Sequence, residues 1–181
     1  SITATSISLG AYVTLCGEGW ATVLQLASGA NTSILTSKAN AQEHIVVRDI
    51  ALDGNKANNT SGYGIYFTTA SKALIYNVRI LSTKQSSIYI GTYMCWIVSC
   101  YISSSDGYGI NIATSSDGWI VDCDIGSHSS QSGIFLQSSG TFHVIGNNIF
   151  LNGSGIYLYN ARNNWIVGNR INNNTNYGIY V

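Results

Sequence analysis

Apolar and polar positions alternate in short runs along this chain, and the runs return in step. A phrase of the form Gly-Ile-x-apolar starts at Gly64-Ile65, Ser87-Ile88, Gly109-Ile110, Gly133-Ile134, Gly155-Ile156 and Gly178-Ile179, at steps of 23, 22, 24, 22 and 23 residues. A second apolar phrase keeps the same step between them: Leu74–Ile80, Trp96–Ile102, Trp119–Ile125, His143–Ile149 and Trp165–Ile171, with an earlier copy at Val46–Leu52. Runs this short, rich in β-branched and aromatic residues, predict strands rather than helices. A fixed period of this size marks a repeat protein whose units bury their apolar faces only by stacking on one another.

The middle of the second phrase holds one column of turn formers: Asp49, Asn77, Ser99, Asp122, Gly146 and Gly168. Such residues tolerate unusual backbone angles or bond their own main chain, so a corner is expected there. The phrases then supply three strands of about 3 to 5 residues per coil of about 23, and three-stranded coils stacked at the usual strand spacing form a parallel β-helix. Residues 44–181 carry the regular repeats and residues 1–43 a looser version, about seven coils in all, with no proline and no composition break to mark a second domain. The stretch 53–63 lengthens one coil, separating Leu52 from Ile80 by 28 residues, and is expected to protrude as a loop.

In a stacked coil every position becomes a column. Ile65, Ile88, Ile110, Ile134, Ile156 and Ile179 predict an aliphatic inner stack. Cys100 and Cys123 share an inward column with Val78, Asn147 and Asn169; the expectation is buried free thiols, because stacked Cβ vectors run parallel, continued by an amide ladder through the two asparagines. Strand alternation points Tyr66, Tyr89, Asn111, Phe135, Tyr157 and Tyr180 outward. Regularly spaced rings suit stacking on sugars, and equally suit packing on one another along the strand ladder. On the Trp-Ile-Val strand both faces are apolar: Trp96, Val98, Trp119, Val121, Ile145, Trp165 and Val167 on one, Ile75, Ile97, Ile120, Val144 and Ile166 on the other. Whichever turns inward, an apolar stripe stays outside, and such a stripe marks an interface. Lateral self-association through Trp96, Trp119, Trp165, Val98, Val121 and Val167, as a trimer or filament, is therefore expected. A covering segment of this or a longer chain is the rival. The chain opens on Ser1 and ends at Tyr180-Val181 inside a repeat, as expected of a piece of a longer solenoid or of a subunit on which another stacks.

Gly-Ile-x-apolar followed by Ile-x-x-Asn/Cys-x-Ile resembles the right-handed parallel β-helix repeat of the pectate-lyase-like superfamily, which includes polygalacturonases, phage tailspikes and NosD-like periplasmic proteins. The resemblance is regular over residues 44–181. It implies an all-β, single right-handed parallel β-helix and leaves the activity open, since the fold serves many.

Composition narrows the options. Only 9% of the residues are charged, against about 25% in an average domain, so the surface must be neutral and polar. Eight basic and eight acidic side chains create no field for nucleic acid or anionic lipid, and no apolar run is long enough to insert in a membrane. An extracellular, virion-surface or cell-surface location suits so few titratable groups. Sequons at Asn31, Asn58, Asn59, Asn152 and Asn173 are the candidate glycosylation sites.

The resemblance also implies where catalytic acids would lie, immediately before the Gly-Ile-like phrase. Those slots hold Tyr63, Ser86, Tyr108, Ser132, Ser154 and Tyr177, none acidic. The weak catalytic candidates are Asp122 and Asp124, near Asp106 and Asp117, with Arg79 and Arg170 in the outward column of Asp124; two acids and a base could do acid–base work or hold calcium. His44, His128 and His143 fall in different columns, Met94 is the one methionine, and the cysteines lack CxxC spacing, so no metal site and no cofactor is expected. Two function classes follow: a non-enzymatic structural β-helix that self-associates and binds polysaccharide through Tyr66, Tyr89, Phe135, Tyr157 and Tyr180, or a polysaccharide lyase or glycoside hydrolase with a site near Asp122 and Asp124.

Overall fold

The computed structural model describes residues 1–40 and 42–181. Nearly all of the regular structure is parallel strand, wound as a solenoid with three faces. The Gly-Ile face is one sheet of eight strands, running from Ile7–Leu9 to Tyr177–Tyr180. The Trp face (Cys95–Val98, Ser116–Val121, Gly140–Ile145, Trp165–Val167) and a short third face (Tyr101–Ser103, Asp124–Gly126, Asn148–Phe150, Arg170–Asn172) share a 13-stranded sheet bent over a corner. Register follows the repeat: Ile88 pairs with Ile110, Ile110 with Ile134 and Ile134 with Ile156, while Trp96 pairs with Trp119.

The turn-forming column does what its residue types allow. Asp49, Asn77, Ser99, Asp122, Gly146 and Gly168 all sit in the left-handed region, with φ between 50° and 68°, and one such residue swings the chain from the Trp face to the short face. A second left-handed column lies after the short face, at Ser82, Ser104, Ser127, Leu151 and Asn173, with φ between 53° and 66°.

Ile65, Ile88, Ile110, Ile134 and Ile156 are fully buried, as are Ile75, Ile97, Ile120 and Val144 from the Trp face and Ile80, Ile102, Ile125 and Ile149 from the short face. Each such side chain contributes about 1.5–3 kcal/mol relative to exposure. The glycine preceding the isoleucine is a requirement of close approach. A Cβ at Gly109 would come within 2.5 Å of Gly133 O and 2.7 Å of Ile125 Cγ2, so backbone from one rung lies against this position in the next.

Two buried polar columns run along the corners. Asn169 Oδ1 accepts from Asn147 N at 3.0 Å, Asn147 Oδ1 accepts from Cys123 N at 3.0 Å, and the Asn147 side-chain amide donates to Ile120 O at 2.9 Å. The second runs through Asn174, Asn152, His128 and Ser105: Asn174 Oδ1 accepts from Asn152 N at 3.0 Å, and Asn152 Oδ1 from His128 N at 3.1 Å. All four cysteines are free, with Cys95, Cys100 and Cys123 buried and Cys16 exposed. Burial pushes the Cys95 thiol up to about 12.

One expectation about the early chain changes. Residues 53–63 do not protrude: Asn59 is buried, and Asn55 and Asn59 side chains donate to Leu26 O and Ala27 O at 3.0 and 3.1 Å, while Asn31 Oδ1 accepts from Thr60 N at 2.7 Å. The reason is that Leu24 pairs with Leu52 across the same 28-residue interval as Leu52 with Ile80, so one long corner stacks on another. The segment before residue 44 also supplies full rungs, because Ile7 pairs with Leu35 and Leu35 with Ile65 despite intervals longer than the later repeat.

Candidate functional site

Tertiary packing decides which side of the Trp strand is outside. Ile75, Ile97, Ile120 and Val144 go in. Trp96, Trp119, His143 and Trp165 go out and stack at centroid distances of 5.4, 5.4 and 6.0 Å. His143 thus serves as an aromatic of this column, which its residue type had hidden in the sequence. Val98, Val121, Ile145 and Val167 form a second outward column beside it, and exposure reaches 61% at Trp165 and 47% at Val167. From Leu74 to Val167 the two columns contain no Asp, Glu, Lys or Arg. At the ribbon's N-terminal end, His44, Val46, Lys72, Leu74 and Trp96 border a hollow of about 440 Å³.

The Gly-Ile face carries the second aromatic ladder. Phe135 and Tyr157 stack at 4.9 Å, while Tyr66 with Tyr89 and Tyr157 with Tyr180 pack tilted at 4.9 and 4.8 Å. Tyr63 and Tyr108, from the slots before the glycines, join it at 4.7 Å from Tyr66 and 4.5 Å from Phe135. Asn111 interrupts the column, leaving Tyr89 without an aromatic neighbour on that side. Burial, followed by the neighbouring Tyr66 and Tyr89 phenols, pushes the Tyr63 hydroxyl up. Among the five candidate sugar contacts, Phe135 is only 8% exposed, sandwiched between Tyr108 and Tyr157. Its ring face is already covered, so it supports the ladder rather than meeting a ligand. Tyr66, Tyr89, Tyr157 and Tyr180 keep part of their surface open.

The catalytic candidates are not brought together. Asp124 lies in the same outward column as Arg79 and Arg170, but two rungs from each, through Tyr101 on one side and Asn148 on the other. At the usual strand spacing that is about 10 Å, beyond hydrogen-bond reach. Asp124 instead accepts from Asn148 Nδ2 at 2.9 Å, and the Arg79 guanidinium lies 5.6 Å over the Tyr101 ring. Asp122 occupies the left-handed corner itself. Asp106 is at a different corner, bonded to Lys56 Nζ and Lys84 Nζ at 2.8 and 2.7 Å, which hold its carboxyl below the usual range. Among the described residues no three His, Cys, Asp or Glu side chains gather closely enough to hold a metal ion.

The sequons divide by burial. Asn31, Asn58 and Asn173 are exposed. Asn152 has no accessible surface and donates to Ile125 O, and Asn59 is 5% exposed with its amide spent on Ala27 O and Asn55 O. Neither amide nitrogen could carry a glycan in this fold, so both candidates are withdrawn.

The repeat geometry and the sequence agree with one family model, the right handed beta helix region, which matches residues 63–181. The chain belongs to the right-handed β-helix family. Among solved structures it is similar to the A-modules of two mannuronan C-5 epimerases of Azotobacter vinelandii, AlgE4 (17% identity, TM-score 0.50) and AlgE6 (18% identity, TM-score 0.53). Both alignments cover 93% of this chain, which spans 64% and 62% of those two chains. No curated protein matches it. At such identities the likeness carries the β-helix fold, and the chemistry must be argued from the residues present.

Proposed function

We propose that this right-handed β-helix is a non-enzymatic structural protein of an extracellular, virion or cell surface. It packs side by side with copies of itself through the Trp ribbon and offers its tyrosine ladder to an extended polysaccharide. The observation that carries this reading is the uncharged outward ribbon from Leu74 to Val167, whose inner members Trp96, Val98, Trp119 and Val121 all keep accessible surface. Contiguous apolar surface of this kind is costly to leave in water. A second copy is the occupant that fits it best. Side chains recur along the ribbon once per rung, so another ribbon of the same period can interdigitate over its whole length, and two faces without charge meet without a desolvation cost for ions. The polysaccharide part rests on the open edges and hydroxyl tips of Tyr66, Tyr89, Tyr157 and Tyr180 and on the fold shared with two polysaccharide-acting modules.

Light scattering across a concentration series, with negative-stain electron microscopy, tests the packing. Oligomers or filaments are expected for the natural chain and dissociation for Trp119→Glu with Val121→Glu; a monomer at all concentrations would end this reading. The rival reading, a polysaccharide lyase or glycoside hydrolase near Asp122 and Asp124, draws on a fold shared with two modules named as polysaccharide-acting epimerases, a different reaction. Incubation with a panel of polysaccharides decides between them, since new reducing ends or unsaturated products that vanish in Asp124→Asn would establish an enzyme.

A further inference from the structure

Between the Gly-Ile face and the Trp face, in two late rungs, Ser138, Ser139, Gly140, Asn160, Arg162 and Asn163 enclose an open cavity of about 650 Å³. We propose that this corner binds a small oxyanion, a carboxylate or a tetrahedral group such as sulfate. None of its lining residues belongs to the tyrosine ladder or the Trp ribbon, and it goes beyond the function proposed above.

The cavity exists because one side chain is missing from a column. Ser116, Gly140 and Arg162 are successive occupants of the same position, since Ser116 pairs with Gly140 and Gly140 with Arg162. A Cβ at Gly140 would meet nothing nearer than Arg162 O at 3.5 Å, so the space is open and the backbone does not require glycine there. Beside it, Ser139 is 2% exposed and its hydroxyl oxygen has no hydrogen-bond partner. One rung earlier the equivalent Ser115 hydroxyl donates to Thr92 O. The corresponding carbonyl for Ser139 is Ser115 O, which already accepts Gly140 N at 3.1 Å. A buried hydroxyl left without a partner costs about 1–3 kcal/mol and needs an explanation. A rotation about the Cα–Cβ bond that turns this hydroxyl toward the recess, which Ser139 lines, lets an acceptor there supply one.

Charge selects the acceptor. No carboxylate lies within 4 Å of the Arg162 guanidinium among the described residues, and no acidic side chain lines the cavity. The Arg162 backbone is fixed on both sides, its N–H donating to Ser139 O at 2.8 Å and its carbonyl accepting Thr141 N at 3.1 Å. A guanidinium on a fixed backbone, an unpartnered hydroxyl and the amides of Asn160 and Asn163 make a donor-rich recess. A neutral hydroxyl compound would answer Ser139 and leave the guanidinium unmatched; a cation would be repelled. An oxyanion answers both.

The test titrates the full chain with sodium sulfate, sodium phosphate and sodium acetate, against sodium chloride at matched ionic strength, following backbone amide shifts by NMR. Saturable shifts at residues 138–140 and 160–163 with any of the three, absent with chloride, are expected, and the anion that saturates first identifies the geometry preferred. Arg162→Gln should weaken binding at least tenfold, with Arg162→Lys intermediate. Ser139→Ala should weaken it several-fold while leaving the melting temperature equal or higher, because no hydrogen bond is lost on removing that hydroxyl. Gly140→Leu, which fills the recess and leaves every donor in place, should abolish binding in a folded protein. Lys38→Gln, the same loss of charge in a distant rung, should change nothing. Shifts no larger than those with chloride, or binding that survives Arg162→Gln and Gly140→Leu, or that falls equally with Lys38→Gln, would overturn the proposal.

Discussion

The two buried polar columns meet the same demand with different side chains. At each corner a backbone N–H points along the solenoid axis toward the next rung, and a buried N–H must be paired. Asparagine meets this completely: its carbonyl oxygen accepts the N–H of the preceding rung, and its amide donates to a carbonyl one strand away. Asn147 and Asn169 do so at the first corner, Asn152 and Asn174 at the second. Toward the N-terminus the columns part. The first continues in thiols, with Cys100 N meeting Cys123 Sγ at 3.5 Å, a weak acceptor. The second continues in His128, whose Nδ1 lies 2.5 Å from Ser105 Oγ and whose Nε2 is buried without a partner. The Ser105 hydroxyl has Gly107 O and Tyr108 O as acceptors at 3.1 and 3.2 Å and can pair with Nδ1 in either tautomer. An amide is indifferent to pH, a thiol nearly so below 8, and an imidazole is not.

The largest effect should come from breaking the amide column. Asn147→Ala leaves Cys123 N and Ile120 O unpaired and should cost about 3 kcal/mol or more in urea denaturation.

Acid should come next, and it should separate the columns. Burial pushes His128 down to about 4 from the 6.5 of an exposed imidazole. With the folded value depressed, the unfolded chain takes up the proton first as pH falls. The contribution of neutral His128 is therefore complete above pH about 6.5 and is lost progressively toward pH 4, by about 3 kcal/mol in all. His128→Asn should flatten that slope, because the new amide would repeat the pairing of Asn152 with groups that do not titrate. A slope unchanged in the variant would place the acid sensitivity elsewhere.

A smaller gain should follow from Cys123→Asn. The amide it introduces would accept Cys100 N in place of sulfur and extend the ladder by one rung, raising stability by about 1 kcal/mol. The smallest test concerns the corner itself. Leu151 holds a left-handed φ of 55° and is 53% exposed in a column otherwise of serine and asparagine. Leu151→Asn should relieve backbone strain worth about 0.5–1 kcal/mol, read as a rise in melting temperature.

The first of these columns was visible in the sequence because it sits in a fixed place within the Trp-Ile-Val phrase, where Asn147 and Asn169 line up with Cys123 and Cys100. The second was not. Ser105, His128, Asn152 and Asn174 keep the repeat spacing, yet four positions shared by three residue types look like ordinary loop polarity, and Asn152 reads as a sequon until its burial is known. Among the outward aromatics the spacing was legible and the availability was not, since Phe135 is covered by neighbours whose packing no linear pattern records. The acids near Asp124 show the same limit: column membership was correct, but the two-rung separation from each arginine depends on counting rungs in space.

The sequence by itself determined the period, the three faces, the left-handed corner after the Trp strand and the aliphatic interior, because each follows from backbone preference and strand alternation repeated at one interval. Only the tertiary structure decided which apolar face of the Trp strand meets water, that the stretch 53–63 lies flat on the coil before it, and that a cavity opens at Gly140 beside an unpartnered Ser139. Those outcomes depend on what stands in the neighbouring rung, which lies 22 to 32 residues away along the chain and about 5 Å away in space.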